Sequence, residues 1–479
     1  MKPFGEVTKS QSGSHRGSKL AGSIVMPELA LLCLVAIALA GCNSSTVNIG
    51  KTSQANSSVQ TYMAGSVGNL QMYAVDHAAD DFVVTSYSST GGTVQDSGDI
   101  SKLTNGMDEL DISYYPGQLL GSPPLTSSWL VELPGEAALT ELEATNNFTQ
   151  VTSTSFAPLA PTLSCPSFPS GQTFQFVTVP KSLNAKSTLS ATGWNPQLET
   201  AYGSVSITTS GNSVKFASIG QFVLPAVNGG APGAPVNPAP STAAAACSPS
   251  FLGETISFPS SVTVDNPGSQ GNQSSSPSAT IAIGPSGFLV EDAGSPSGAP
   301  NSSLPPYENL LGAGYGAIGI PKPSSALTSS SVAAAQYQGV LYGAASGASA
   351  SVSNSGFRLI GSFGYQNLQT ACPTLPGPSS STVLYGGEFA NNNPSANSFG
   401  NCDLAIDLGA QDASNNGLYP AATVYVSASF PNNGLNSAYS FPAVAVAGQI
   451  SGKYAIFLIG VDTTGVPAQP WGIYLLQSN

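Results

Sequence analysis

Histidine is nearly missing from this chain, which has two in 479 residues, and basic side chains are scarce, with 12 Lys and Arg against 25 Asp and Glu. Charged residues make up only 8% of the sequence, against roughly a quarter in an average globular protein. Each shortage excludes a class of function. A nucleic-acid binder needs clustered cations to displace phosphate counterions, and the few Lys and Arg here are scattered. Docking onto anionic lipid through a basic patch is excluded on the same ground. Serine or cysteine hydrolysis needs a base beside the nucleophile, and no G-x-S-x-G elbow is present. Zinc, iron or copper centres built from several imidazoles are out of reach, and no C-x-x-C spacing exists, so the sequence leads to no expectation of a metal or other cofactor.

The N-terminus carries the clearest signal. Lys2, Lys9, Arg16 and Lys19 precede an apolar run from Leu29 to Ala40, a basic region followed by the apolar core of an export signal. The run is nearer a dozen residues than the ~20 needed to cross a bilayer as a helix, so cleavage is expected in place of a permanent span. It ends in Leu39-Ala40-Gly41-Cys42, which resembles the bacterial lipobox. The resemblance implies cleavage before Cys42, attachment of lipid to its thiol and, because Asn43 and not Asp follows, sorting to the outer membrane. Several further strings, among them WLVELPGEA (129–137), IGPSGFLVED (283–292), FGNCDLAIDLG (399–409), SGKYAIFLIGVD (451–462) and WGIYLLQSN (471–479), resemble those of uncharacterised envelope lipoproteins of acidobacterial type. That likeness implies an envelope location and transfers no site residue. Cleavage would leave eight of the 12 basic and 23 of the 25 acidic residues, an acidic mature chain.

Beyond a signal peptide at 1–41, residues 42–60 read as a flexible tether with little to bury. An N-terminal β domain is expected over 61–225, a Pro/Gly/Ala-rich linker or loop over 226–246, and a C-terminal β domain over 247–479. Short runs of Val, Ile, Tyr and Phe bounded by turn residues predict an all-β chain of antiparallel meanders. One hairpin is expected to turn at His77–Asp80 and another near Ser210-Gly211-Asn212; Glu136–Ala144 alone looks helical. Over 336–479 eight candidate strands centre on Tyr337–Gly343, Phe357–Phe363, Thr382–Glu388, Cys402–Leu408, Ala422–Phe430, Ala443–Ile450, Tyr454–Val461 and Trp471–Gln477. They suit a closed up-and-down barrel, with a sandwich or a propeller as less economical alternatives.

With Cys33 lost in the signal and Cys42 lipidated, Cys165, Cys247, Cys372 and Cys402 remain. An even number in an exported chain points to disulfides, and nearest neighbours give Cys165–Cys247 and Cys372–Cys402. The stretch Cys165–Phe176 resembles Cys247–Phe258 closely enough to suggest a duplicated strand unit, with chance matching as the alternative.

His77 stands between Asp76 and Asp80-Asp81, where a solvated turn histidine is expected. Gly314-Tyr-Gly316-Ala-Ile-Gly319 fits G-x-G-x-x-G but lacks the strand-to-helix context of a phosphate cradle, so a Gly-rich loop or barrel turn is expected. Asp96, Asp99, Asp108, Glu109 and Asp111 could gather calcium but form no EF-hand loop, and solvated acidic loops are the expectation. Glu291, Asp292, Glu388, Asp403 and Asp407 could serve a glycan-acting enzyme that needs only two facing carboxylates, and Trp129, Trp194 and Trp471 could stack on sugars, although each adjoins an apolar run that would bury it. The resulting expectation is a lipid-anchored envelope protein with a non-catalytic role that binds a glycan or an envelope protein and no nucleic acid. A carboxylate-dependent glycan-acting enzyme and a calcium-dependent adhesin are the alternatives.

Overall fold

A computed structural model shows a chain built almost wholly of antiparallel β-strands. It describes residues 59–66, 69–88, 93–103, 107–114, 127–146, 150–161, 167–180, 201–211, 213–223, 242–250, 253–257, 279–293, 315–344, 355–364, 382–388, 402–428, 430, 437–462 and 469–478. The expected export signal and lipobox, with Cys165, Cys372 and Trp194, lie outside them.

Three sheets of eight strands follow one another, each pairing its strands in chain order. The first holds β1 (Val59–Ser66), β2 (Asn69–Asp76), β3 (Asp81–Ser88), β4 (Thr93–Lys102), β5 (Asp108–Tyr114), β6 (Ser127–Leu133), β7 (Ala137–Asn146) and β8 (Gln150–Leu159). The second is a closed barrel of β9 (Gln172–Pro180), β10 (Ala201–Ser210), β11 (Ser213–Val223), β12 (Thr242–Ser250), β13 (Gly253–Ser257), β14 (Ala279–Ile283), β15 (Leu289–Ala293) and β16 (Tyr315–Pro321), sealed where β16 pairs with β9. A one-and-a-half-turn helix, α1 (Ser329–Ala334), leads into the third. That closed barrel holds β17 (Tyr337–Ala344), β18 (Ser355–Gly364), β19 (Val383–Glu388), β20 (Leu404–Asp407), β21 (Leu418–Val426), β22 (Tyr439–Ile450), β23 (Lys453–Asp462) and β24 (Gln469–Gln477), sealed by β17 on β24. The eight-stranded C-terminal barrel is therefore present, and neither a sandwich nor a propeller. Closure leaves no edge strand to template aggregation, which matters for strands this apolar.

Alternation of side chains across a strand explains how one sequence serves two cores. In β23, Ile456 and Leu458 join the inner core of the third barrel, with Trp471, Phe441 and Tyr419. Their neighbours Phe457, Ile459 and Val461 face a central core shared with Trp129 and Val131 of β6 and Val177 of β9. A strand buried on both faces reads in sequence as an unbroken apolar run, which YAIFLIGV is. Phe288 and Phe457 meet edge to face across the junction of the second and third barrels, with ring centroids 5.9 Å apart. Trp129 and Trp471 are 3% and 1% exposed, so both are core residues.

Three expectations are corrected. Residues 226–246 do not separate two domains: they connect β11 to β12, consecutive paired strands of one barrel, and 242–246 belong to β12. The sheets divide the described chain at 160–171 and 322–336 instead. Glu136–Ala144 is not helical but falls almost wholly in β7, because pairing with β6 and β8 outweighs the helix propensity of its Ala, Leu and Glu residues. Gly316 and Gly319 lie within strand β16, not in a loop or turn; a Cβ at Gly319 would sit 3.0 Å from the Gln175 carbonyl of the paired strand. The two similar stretches lead into β9 and span β12–β13 of the same barrel. Among the described residues no helix is long and apolar enough to cross a membrane.

Candidate functional site

The first sheet gathers its own core of Tyr62, Tyr73, Val75, Phe82, Ile100, Leu110 and Leu130. Two residues along the same face from three of these lie polar side chains: His77 after Val75, Asp108 before Leu110, and Glu132 after Leu130. Antiparallel order brings the end of β2, the start of β5 and the end of β6 to one end of the sheet, beside Tyr62 of β1. Ligand-type atoms of His77, Asp108 and Glu132 all lie within 4.8 Å of one another.

Each group is set by a local turn. The Asp76 carboxylate accepts the backbone N–H groups of Ala78 and Ala79 at 3.0 and 3.3 Å, an Asx turn that starts the reversal from β2 to β3. Asp80 completes it with φ 53°, a left-handed conformation that Asp tolerates better than most residues. Lys102 donates to the His77 carbonyl at 3.3 Å. Met107, fully buried, accepts the Leu103 N–H at 2.9 Å and fixes the approach to Asp108. The turn between β6 and β7 needs Gly135, whose φ is +72° and whose added Cβ would strike the Gln60 side chain at 2.7 Å. Its N–H donates to the Tyr62 hydroxyl at 3.0 Å, and Tyr62 in turn donates to Glu132 Oε2 at 2.7 Å.

Glu132 thus has one oxygen held by Tyr62 and the other, Oε1, bonded to His77 Nε2. His77 Nδ1 is buried with no hydrogen-bond partner among the described residues and lies 3.7 Å from Asp108 Oδ2. The hydrogen bond to Glu132 raises the His77 pKa above its ordinary value against the opposing effect of burial, with attraction to Glu132 and Asp108 adding to the rise. Burial, then repulsion from Glu132, pushes the Asp108 carboxyl up to about 6. Burial chiefly, and then Glu132, raises the Tyr62 phenol far above its usual range. Two carboxylates and one imidazole held this closely favour a shared positive charge, either a proton on His77 or a cation.

His77 is therefore not the freely solvated turn residue that its neighbours in sequence implied: its side chain is 22% exposed and bonded to a residue 55 positions away. Asp96 and Asp99 lie on β4, and Asp108, Glu109 and Asp111 on β5, so they are strand residues and not acidic loops. Asp81 pairs across the sheet with both Asp76 and Asp99. The carboxylates considered for glycan chemistry are split between barrels: Glu291 and Asp292 on β15, Glu388 on β19, and Asp403 and Asp407 at β20. Asp407 accepts hydrogen bonds from Thr382 and the Gly409 N–H, a structural role. Glu132 was not singled out in the sequence. Its available signal was a charge at an inward position of the otherwise apolar strand WLVEL.

Comparison with protein-family models and with curated proteins returned no match.

Proposed function

We propose that this chain is a lipid-anchored protein of the bacterial cell envelope, sorted to the outer membrane, with a non-catalytic role in binding a glycan or envelope protein. The observation that carries the reading is Leu39-Ala40-Gly41-Cys42 at the end of an apolar run. Residues 43–58, rich in Ser, Thr and Asn, suit a spacer between lipid and fold. The scarcity of basic residues leaves the lipid as the membrane attachment and leaves no footprint for nucleic acid. Interiors filled by aliphatic and aromatic side chains suit a scaffold whose ligands are met at sheet ends and outer surfaces.

An oxidising compartment also suits disulfides. We keep Cys372–Cys402 and Cys165–Cys247 as the proposed pairs, each the nearest in sequence. Metabolic labelling with palmitate in a bacterial host tests the anchor. The parent chain should take up label and shorten to the mature size, and Cys42→Ala should do neither. Label retained by Cys42→Ala would overturn the reading.

A further inference from the structure

We propose that His77, Asp108 and Glu132 form a binding site for a divalent first-row transition cation, of which zinc is the probe, with Tyr62 orienting the Glu132 ligand. The donor set is one imidazole nitrogen and two carboxylate oxygens from three different strand ends, all within 4.8 Å. Around a tetrahedral zinc, with bonds of ~2.0–2.2 Å, ligand atoms sit roughly 3.3 Å apart. Because Glu132 Oε1 meets Nε2 while Nδ1 faces Asp108, closing the cluster onto one cation needs the imidazole to turn so that one nitrogen faces both carboxylates, with ligand shifts of up to about 1.5 Å.

Three further observations point the same way. His77 Nδ1 is buried and lacks a hydrogen-bond partner among the described residues, and a buried polar atom of that kind is costly unless something fills its place. Glu132 Oε2 is engaged by the Tyr62 hydroxyl, itself held by the Gly135 N–H, which turns Oε1 toward the imidazole. Outer hydrogen bonds that orient a ligating carboxylate are the usual companions of metal sites. Asp108 is 8% exposed and sits beside a second carboxylate, an arrangement that a divalent cation stabilises and that His77 alone neutralises only in part.

The donor chemistry selects the metal class. Calcium takes six to eight oxygens and magnesium an octahedral shell of oxygens, and neither favours an imidazole. Imidazole with carboxylates suits zinc and its neighbours in the first transition row. Three protein ligands leave the fourth position open, on the side where His77 is partly exposed, so an anionic or neutral oxygen ligand could complete the shell there.

The site stands apart from the lipid anchor, since zinc binding and lipid labelling can fail independently. The test uses the full chain purified in detergent, with thiols alkylated and metal removed by chelator. The chain has two histidines, so a His15→Gln background leaves His77 as the sole imidazole and does not touch the site. With histidine isotopically labelled, zinc chloride should shift the single set of ring resonances and saturate at one equivalent. Binding should fall about 100-fold in His77→Gln and in Glu132→Gln, and about 10-fold in Tyr62→Phe, where the ligand remains but loses its orienting bond. Calcium chloride should leave the ring resonances in place. Ring resonances unmoved by saturating zinc would overturn the proposal without reference to any substitution at the site. So would equal zinc uptake by His77→Gln, or calcium producing the same shift.

Discussion

Asp108→Asn offers the sharpest test of the electrostatics at the end of the first sheet. The Asp108 carboxyl is raised from the ordinary 3.8 to about 6, by burial first and by Glu132 second. A carboxyl whose folded value lies above its unfolded one binds its proton more tightly in the native state, so native stability falls as pH rises from the unfolded value to the folded one. Below about pH 3 the group is protonated in both states and costs nothing; above about pH 6.5 nearly the full cost of about 3 kcal/mol is present. Between pH 5 and 7.5, with the unfolded chain already largely ionised at the lower limit, about 1.5 kcal/mol of that change should remain visible. The assay is urea unfolding of chelator-treated protein at both pH values. His77 and Glu132 are kept, so the loss of stability between pH 5 and 7.5 should be smaller in Asp108→Asn than in the parent chain by about 1.5 kcal/mol. An identical pH dependence in the two proteins would refute the placement of Asp108 in a buried site beside a second carboxylate.

Two further substitutions probe the sheets themselves. Asp81 is 8% exposed, one of its carboxylate oxygens lacks a hydrogen-bond partner, and it faces Asp76 and Asp99 across neighbouring strands. Burial and then those two charges raise its pKa, so Asp81→Asn should stabilise the chain by about 1 kcal/mol at neutral pH and give no gain in acid, where the native Asp81 is already protonated; calorimetry at two pH values would show this, and a loss at neutral pH would count against the pairing. Gly339→Ala should destabilise the third barrel by about 3 kcal/mol, because the new Cβ would fall 1.8 Å from the Tyr474 carbonyl oxygen of the paired strand; an unchanged urea midpoint would refute the register of β17 on β24.

How far the sequence could be read depends on the range of the interaction involved. The eight strands of the third barrel were legible because each is an apolar run between turn residues; six coincide with their observed strands to within two residues at each end, and β22 starts four residues earlier than expected. The exception was β21: Ala422–Phe430 was expected and Leu418–Val426 is found, since Tyr419 and Ala422 are buried across a bulge that only pairing with β22 defines. The hairpin at His77–Asp80 was legible from its turn residues. The strand β7 was not, because Ala, Leu and Glu in succession satisfy a helix locally and only the neighbouring β6 and β8 decide otherwise.

Composition and local pattern alone determined that the chain is all β, acidic and poor in the side chains of most catalytic centres, because those properties depend on residue identity and on alternation within a strand. Tertiary structure decided where one barrel ends and the next begins, since closure is a pairing between β9 and β16, or β17 and β24, that leaves no mark in either strand. It also decided the fate of His77, one of the two histidines of the chain. Nothing local distinguishes His77 from a solvated turn residue. Only the antiparallel register of β2, β5 and β6 carries Asp108 and Glu132 to its ring, and only the Gly135 turn holds Tyr62 against Glu132.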